Sequence, residues 1–213
     1  MIENILSRIA ERYPLKEIEL HDLAHLKASG MKFTVRAFMA EGLGHVSVMS
    51  ATGFLGLMKM DTLIINPIAL DLPLYSYDRI FAMGNDTLIV ELYDTLAGDY
   101  DGSAMETVKS EYRDIPERDP GEHWYDSIKL PESISKKGKN KQSKRLNALA
   151  LEHFDAYINS SSVLTDDTQA KKIKAENYVL GLLKNGGPST DVFKKSLGDA
   201  KTEELFKTAL FGI

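Results

Sequence analysis

The residue best placed to do acid–base chemistry is Asp78, in the strand-like run LYSYDRI at residues 74–80. A strand of this composition should pack against a core, where a charge is costly unless it is paired or put to use. Asp78 is therefore an ordinary surface acid, a partner of Arg79 or Arg36, or a proton donor held in a pocket. Because most acids are structural or solvated, the residues alone favour one of the first two alternatives.

Other spacings that could carry chemistry are incomplete. His21 and His25 have the i,i+4 spacing of two metal ligands on a helix, but the zincin glutamate is absent and no third ligand is evident. The segment Asp99–Gly102 lacks the outer acids of a calcium loop, and no serine lies in a GxSxG turn. Gly42 and Gly44 lack the third glycine of a dinucleotide fingerprint. We expect no bound metal or nucleotide cofactor.

The composition predicts a cytoplasmic globular protein with a single domain spanning residues 1–213. Hydrophobic residues make up 43% of the chain and charged residues 27%, which is ordinary for such proteins. The formal net charge of −5 argues against general nucleic-acid binding. The absence of cysteine excludes disulfides, thiolate nucleophiles and cysteine-ligated clusters. No apolar run approaches the ~20 residues that span a bilayer, and the N-terminus does not have the pattern of a signal peptide.

The elements that would position Asp78 are strands followed by helices. Apolar and alternating runs predict strands at 32–39, at 45–51, within 55–66, around Asp78 and at 87–93. Their short linkers leave no room for the crossovers that parallel strands need, so the sheet should be largely antiparallel. Apolar spacing predicts helices before Pro14, after a capping box of Ser103 and Glu106, and from residue 146 to the C-terminus, whereas 114–135 is expected to be irregular. This order predicts an α+β fold, in which one sheet is sandwiched between helices.

One segment has an unusual charge. Residues Lys136 to Arg145, KKGKNKQSKR, contain six basic residues and no acid. Such a run is most often a solvated, mobile loop, and the alternative is a docking patch for an acidic partner. A nucleic-acid site would need interleaved aromatic residues, which are absent here.

The C-terminal forty residues resemble those of the ferredoxin-dependent bilin reductases. The shared features are Tyr178, then Asn185, Val192, Leu197-Gly198 and the final Leu210-Phe211. The similarity extends back through nearly the whole chain: Tyr13-Pro14-Leu15-Lys16 resembles the lead into that family's first strand, and LDLPLYSYD resembles its proline-then-acid strand. The strand ending Glu91-Leu92-Tyr93-Asp94 falls where the family has a strand closing in an acid, and Trp124 falls in a similar proline-rich segment.

The resemblance implies a fold, a ligand and a reaction. The fold is one antiparallel sheet between helices, and an open-chain tetrapyrrole such as biliverdin binds between the sheet and the C-terminal helices. No cofactor is bound, because electrons come one at a time from an external ferredoxin. The protein then has only to hold a flat apolar ligand, exclude water and supply protons to a bilin radical. The basic run would attract an acidic ferredoxin or the propionates of the ligand.

The same resemblance assigns site residues. Asp78 becomes the main proton donor, with a pKa raised by desolvation. The family's second residue on the sheet falls at Asp61 or Thr62; Asp61 would be a second proton carrier coupled to Asp78, or else a turn residue. Arg36, Tyr178 and Asn185 are the expected ligand-binding residues.

This chain also departs from the family pattern. Gly186-Gly187 replaces an acid that some members carry after the asparagine, with Asp191 at the wrong spacing, and a glutamate of the second strand falls near Met49 and Ser50. The sequence therefore leaves open a non-catalytic tetrapyrrole-binding protein of the same fold. A domain without any small ligand is a third alternative, which predicts no cavity between sheet and helices.

Overall fold

In the part of the chain that the structure describes, eight strands form one sheet in which every pairing is antiparallel. The structure, a computed structural model, describes residues 1–160 and 163–213, with Pro188 described by its backbone alone. The sheet order is β1-β3-β4-β5-β6-β7-β8, and β2 pairs with β3 beside β1. The strands are β1 (Leu15–Ile18), β2 (His25–Ala28), β3 (Met31–Ala40), β4 (Gly44–Gly53), β5 (Met58–Pro67), β6 (Leu74–Ala82), β7 (Asn85–Tyr93) and β8 (Ile134–Lys139).

Helices cover both faces of the sheet. One face packs against α1 (Ile2–Ala10), α2 (Ser103–Glu111) and α3 (Ser143–Asn159). The other face packs against α4 (Thr168–Asn185), α5 (Pro188–Leu197), α6 (Asp199–Glu204) and a C-terminal π-helix (Leu205–Phe211). The predicted α+β sandwich is confirmed.

The two cores arise from the alternation of side chains along each strand. On β3, Phe33 and Val35 belong to the core under the C-terminal helices, whereas Phe38 and Ala40 belong to the core under α1 and α3. The central strands are apolar on both faces because helices cover both. This is why Leu63, Ile64 and Ile65 of β5 are all buried.

Three side chains of the sheet hold the C-terminal π-helix in place. The carbonyl oxygens of Ala209, Leu210 and Phe211 accept hydrogen bonds from His45, Ser47 and Asn66, at 2.9, 2.7 and 2.8 Å. These bonds satisfy carbonyl groups that a helix end leaves without partners. They also fix the side chains of Leu210 and Phe211 against the sheet.

Two local predictions are wrong. The basic run is not a loop but forms β8 and the start of α3, because Lys136 is buried against Glu117 and the carbonyl oxygen of Ile115. The capping box does not form: Gly102 is the N-cap of α2, and no side chain caps it. His21 and His25, whose spacing was set aside as a metal-ligand pattern, lie on a 3-10 turn and on β2.

No group of three or more His, Asp or Glu side chains among the described residues could hold a metal ion. None of the described helices has the length and apolar content to cross a bilayer.

Candidate active site

A cleft lies between the sheet and the C-terminal helices, with a cavity volume of about 230 Å³. Its floor is the face of β4–β7, its roof is α4, the start of α5 and the π-helix, and residues 118–125 close one side. The presence of this cavity argues against a domain without a ligand. The floor residues are Met49, Met60, Thr62, Ile64, Ser76, Asp78, Ile80, Ile89, Glu91 and Tyr93.

Asp78 lies at the middle of the cleft floor. The antiparallel register places it opposite Thr62 on β5 and Ile89 on β7, and its half-buried side chain faces the cavity. The hydroxyl of Thr62 donates a hydrogen bond to one oxygen of the Asp78 carboxyl group. Burial raises the pKa of Asp78 to about 6; the Thr62 bond works against this rise, and the charge of Glu91 adds to it. A carboxyl group with this pKa can act as an acid near neutral pH.

Glu91 is a second carboxylate of the cleft floor. It lies on β7 opposite Ser76, two residues along the strand from the position that faces Asp78. Its Oε2 accepts a hydrogen bond from the phenol of Tyr93 at 2.6 Å, and its Oε1 is 3.8 Å from Nζ of Lys129. The side chain is 16% exposed, so its charge is only partly screened from Asp78.

Tyrosine rings form a wall beside these two acids. Tyr93 packs against Tyr178 of α4 with ring centroids 4.2 Å apart, and Tyr125 meets the edge of Tyr93 at 5.5 Å. Phe211 of the π-helix lies 5.9 Å from Tyr178. Burial raises the pKa values of the Tyr93 and Tyr178 phenols, so both stay neutral. Such a wall suits a flat conjugated ligand.

Cationic and polar groups line the rim of the cleft. Arg118 reaches it from the segment before β8, and the hydrogen bond that its guanidinium group donates to the hydroxyl of Ser135 is long at 3.4 Å. His123 stacks on Tyr125 at 4.8 Å, and its Nδ1 has no hydrogen-bond partner within the described chain. Ser189 and Thr190 at the start of α5 also line the cavity. These groups could bind the carboxylates of a ligand.

The structure brings together only some of the predicted site residues. Asp78 and Tyr178 both line the cleft. Asn185 is exposed at the end of α4 and does not line it. Arg36 lies on the opposite face of the sheet, where Nε is 2.8 Å from Glu17. The expected position of Arg36 in the ligand site is therefore wrong, because its strand turns the other face to the cavity.

The same rule decides between Asp61 and Thr62. Thr62 faces the cleft, whereas Asp61 points to the other side of the sheet and accepts a hydrogen bond from Ser50 at 2.7 Å. Asp61 does not lie beside Asp78, so the prediction of a coupled pair of these two acids is wrong. It is not a turn residue either, since it lies within β5.

Arg79 is not a partner of Asp78. Adjacent residues of a strand point to opposite faces, and Arg79 forms a buried ion pair with Asp86 on the other side of the sheet. Its Nη2 is 2.7 Å from Oδ2 of Asp86, which also accepts a hydrogen bond from Ser143 of α3.

The missing family acids leave apolar or small residues at the cleft. Met49 faces the cavity, while Ser50 faces away. Gly187 lines the cavity, but Asp191 does not. Three cleft residues were not predicted from the sequence: Arg118, His123 and Tyr125. They lie in a segment that shows neither the helical nor the strand period of apolar residues. Glu91 was visible only as the acid closing its strand.

Comparison with solved structures identifies this architecture. Phytochromobilin synthase from tomato, in a crystal structure with biliverdin, superposes with a TM-score of 0.77 at 14% sequence identity, over 99% of this chain and 81% of that chain. The fold is that of phytochromobilin synthase. The resemblance to bilin reductases drawn from the sequence is thus confirmed at the level of the fold. No protein-family model matches this chain, and no curated protein matches its sequence.

Proposed function

We propose that this protein reduces a linear tetrapyrrole such as biliverdin with electrons from a ferredoxin, and that Asp78 supplies the protons. The observation that carries the proposal is the Asp78 carboxyl group on the floor of an aromatic cleft, in a fold shared with a biliverdin-bound protein. No cofactor need be bound, because the conjugated ligand itself accepts the electrons.

Each step joins one electron to one proton. Reduced ferredoxin is oxidised by one electron, the bilin becomes a radical, and the Asp78 carboxyl group transfers its proton to the reduced ligand. The Asp78 carboxylate then regains a proton from solvent, and a second electron and proton complete the reduction of one double bond. Burial, and to a smaller extent the negative charge of Glu91, favours the protonated form of Asp78, while Thr62 orients the carboxyl group.

Different residues of the cleft would contact the ring plane and the propionates of the ligand. Tyr178, Tyr93 and Phe211 pack against the plane of the ligand, and Arg118 and His123 bind its propionates. The cavity is smaller than the roughly 300–1,000 Å³ of typical ligand sites, so a tetrapyrrole must widen it. We expect the roof to move at the junction Gly186-Gly187 between α4 and α5. The indole N–H of Trp124 donates a 3.2 Å hydrogen bond to the Gly186 carbonyl oxygen at this junction.

Part of the basic run remains available to an acidic ferredoxin. Lys136 is buried and Arg145 is paired with Asp114 at 2.7 Å, but Lys137, Lys141 and Lys144 are exposed. Exposed charges of one sign raise association rates with an oppositely charged carrier.

A non-catalytic tetrapyrrole-binding protein is the second candidate. It is favoured by Met49 and Gly187, which stand at the cleft where some bilin reductases have acids. The two candidates share the ligand and differ in turnover alone.

One experiment separates them. Purified protein is titrated with biliverdin and followed by absorbance, then mixed anaerobically with ferredoxin, ferredoxin reductase and NADPH. A reductase forms a red-shifted bound spectrum that is then lost or shifted, and Asp78→Asn keeps the bound spectrum but slows turnover about 10²-fold or more. Asp61→Asn is the matched control, since this acid lies on the opposite face.

Three outcomes count against the proposal. Asp78→Asn turning over at the parental rate removes Asp78 from the mechanism. A stable bound spectrum under strong reductant selects the binding protein. Absence of any spectral change with biliverdin rejects both candidates.

A further inference from the structure

Three hairpin turns and the end of β8 lie side by side at one end of the strands. We call these segments, 27–32, 52–60, 81–85 and 137–142, the hairpin edge. The register places Gly53, Met58, Ala82, Asn85 and Lys139 in one row across β4–β8, so the turns beyond this row lie side by side. The β2–β3 turn joins them, because Lys32 pairs with Thr52.

Four large apolar side chains project from this edge. Leu55 is 105% exposed, Met83 92%, Leu57 74% and Phe54 63%. Phe54, Leu55 and Met83 also have φ angles of 50°, 56° and 50°, in the left-handed region that bulky residues rarely adopt. Both the exposure and the backbone conformation are unfavourable in an isolated soluble protein, which points to a surface that is covered in use.

The charge around these side chains is of one sign. The hairpin edge contains six lysines and no aspartate or glutamate, although the whole chain has a net charge of −5. Two acids lie directly beyond these segments. Asp86 is buried in its pair with Arg79, and the half-buried Asp61 accepts a hydrogen bond from Ser50 on the face of the sheet that packs against α1. The six lysines are Lys27, Lys32, Lys59, Lys137, Lys139 and Lys141.

We propose that the hairpin edge binds a lipid bilayer that contains anionic lipids. The four apolar side chains would enter the boundary of headgroups and acyl chains, and the lysines outside the basic run, Lys27, Lys32 and Lys59, would contact the phosphate groups. A bilayer fits these observations better than an acidic protein does. The four apolar side chains project from two separate turns, so a protein partner would need two matching pockets. Fluid lipid can pack around both turns without such pockets.

The position of the edge relates it to the cleft. Met60 and Ile80 line the cleft and lie three residues from Leu57 and Met83. This end of the cavity would therefore face the bilayer, where an apolar ligand partitions. The inference itself does not depend on the proposed reaction.

Sedimentation with vesicles tests the proposal. The protein is mixed with vesicles of phosphatidylcholine alone, or of equal parts phosphatidylcholine and phosphatidylglycerol. We expect binding to the anionic vesicles that weakens with salt. The double variant Leu55→Ser, Met83→Ser should partition into anionic vesicles about tenfold or more weakly than the parent. Lys32→Gln and Lys59→Gln, which lie outside the basic run assigned to ferredoxin, should each weaken it about fivefold.

Matched variants make the test specific. Ile173→Ser and Leu180→Ser remove exposed apolar side chains from α4 and should leave vesicle binding unchanged. The proposal fails if the parent does not bind anionic vesicles, or if the Leu55 and Met83 variant binds them as well as the α4 control variants do. It fails also if neither the parent nor any variant binds vesicles, while the substitutions at Leu55 and Met83 weaken binding to an acidic electron-carrier protein. Bilin turnover measured on the same Leu55 and Met83 variant reports separately on the proposed reaction.

Discussion

Thr62 donates a hydrogen bond to Asp78 across the β5–β6 pair, on the face of the sheet that lines the cleft. The hydrogen bond favours the ionised carboxylate, whereas burial and the charge of Glu91 favour the neutral acid. The acid strength of Asp78 is therefore a balance between two named neighbours and its desolvation. Each of these contributions can be removed singly.

Replacing Thr62 should make Asp78 a weaker acid. Thr62→Val keeps the shape of the side chain but removes the donor, so the pKa of Asp78 rises. Turnover requires the protonated acid and falls as pH increases through its pKa. The alkaline limb of the pH–rate profile should therefore move to higher pH by about one unit. Thr34→Val, on the opposite face of the sheet, is the control, and an unmoved limb in Thr62→Val would refute the balance described above.

Replacing Glu91 should have the opposite effect. Glu91→Gln can still accept the hydrogen bond from Tyr93 but loses the negative charge, so the pKa of Asp78 falls. A charge about 8 Å away in a medium of effective dielectric constant near 20 contributes roughly 2 kcal/mol at most. We expect the alkaline limb to move to lower pH by about one unit. Glu17→Gln, whose acid pairs with Arg36 on the other face, should leave it in place; a shift to higher pH in Glu91→Gln contradicts the assignment.

The desolvation of Asp78 can be measured without substrate. The pKa of this acid rises from 3.8 to about 6 on folding. Its contribution to stability is therefore complete below pH 4 and is lost as pH increases through 6. At about 1.4 kcal/mol per unit, the loss amounts to about 3 kcal/mol. Asp78→Asn should thus gain about that much in free energy of unfolding, relative to the parent, between pH 4 and pH 8.

Urea denaturation at the two pH values measures this difference. Asp61→Asn serves as the comparison, because that acid is on the other face of β5. An equal pH response of Asp78→Asn and the parent would mean that the Asp78 carboxyl group is hydrated in the folded protein.

The sheet could be predicted from local pattern, because alternation of apolar and polar residues indicates strands. The place of Asp78 in the site came from the resemblance of its proline-then-acid strand to that of the bilin reductases, since the residues alone favour a solvated or paired acid. The choice between Asp61 and Thr62 could not be made, because Leu63, Ile64 and Ile65 are buried on both faces of β5 and show no alternation. A one-residue uncertainty on a strand moves a side chain to the other side of the sheet.

The remaining errors concern residues whose positions are set by distant contacts. Lys136 is buried because it meets Glu117 and the carbonyl oxygen of Ile115, which no local pattern reveals. The rim residues Arg118 and His123 lie in a segment held by Trp124, whose indole packs over Gly181 of α4. Such segments have no period, so the sequence could not place them.

The buried pair of Arg79 and Asp86 should be sensitive to the loss of either charge, because each charged group is out of water and has the other as its counter-charge. Both side chains are at most 1% exposed, and Asp86 also binds Ser143 of α3. Asp86→Asn leaves the guanidinium group buried without its counter-charge, so we expect a loss of about 3–5 kcal/mol in the free energy of unfolding. Asp114→Asn breaks the exposed pair with Arg145 and should cost less than about 1 kcal/mol. Urea denaturation at neutral pH compares the two variants, and similar losses in both would mean that water reaches the Arg79 pair.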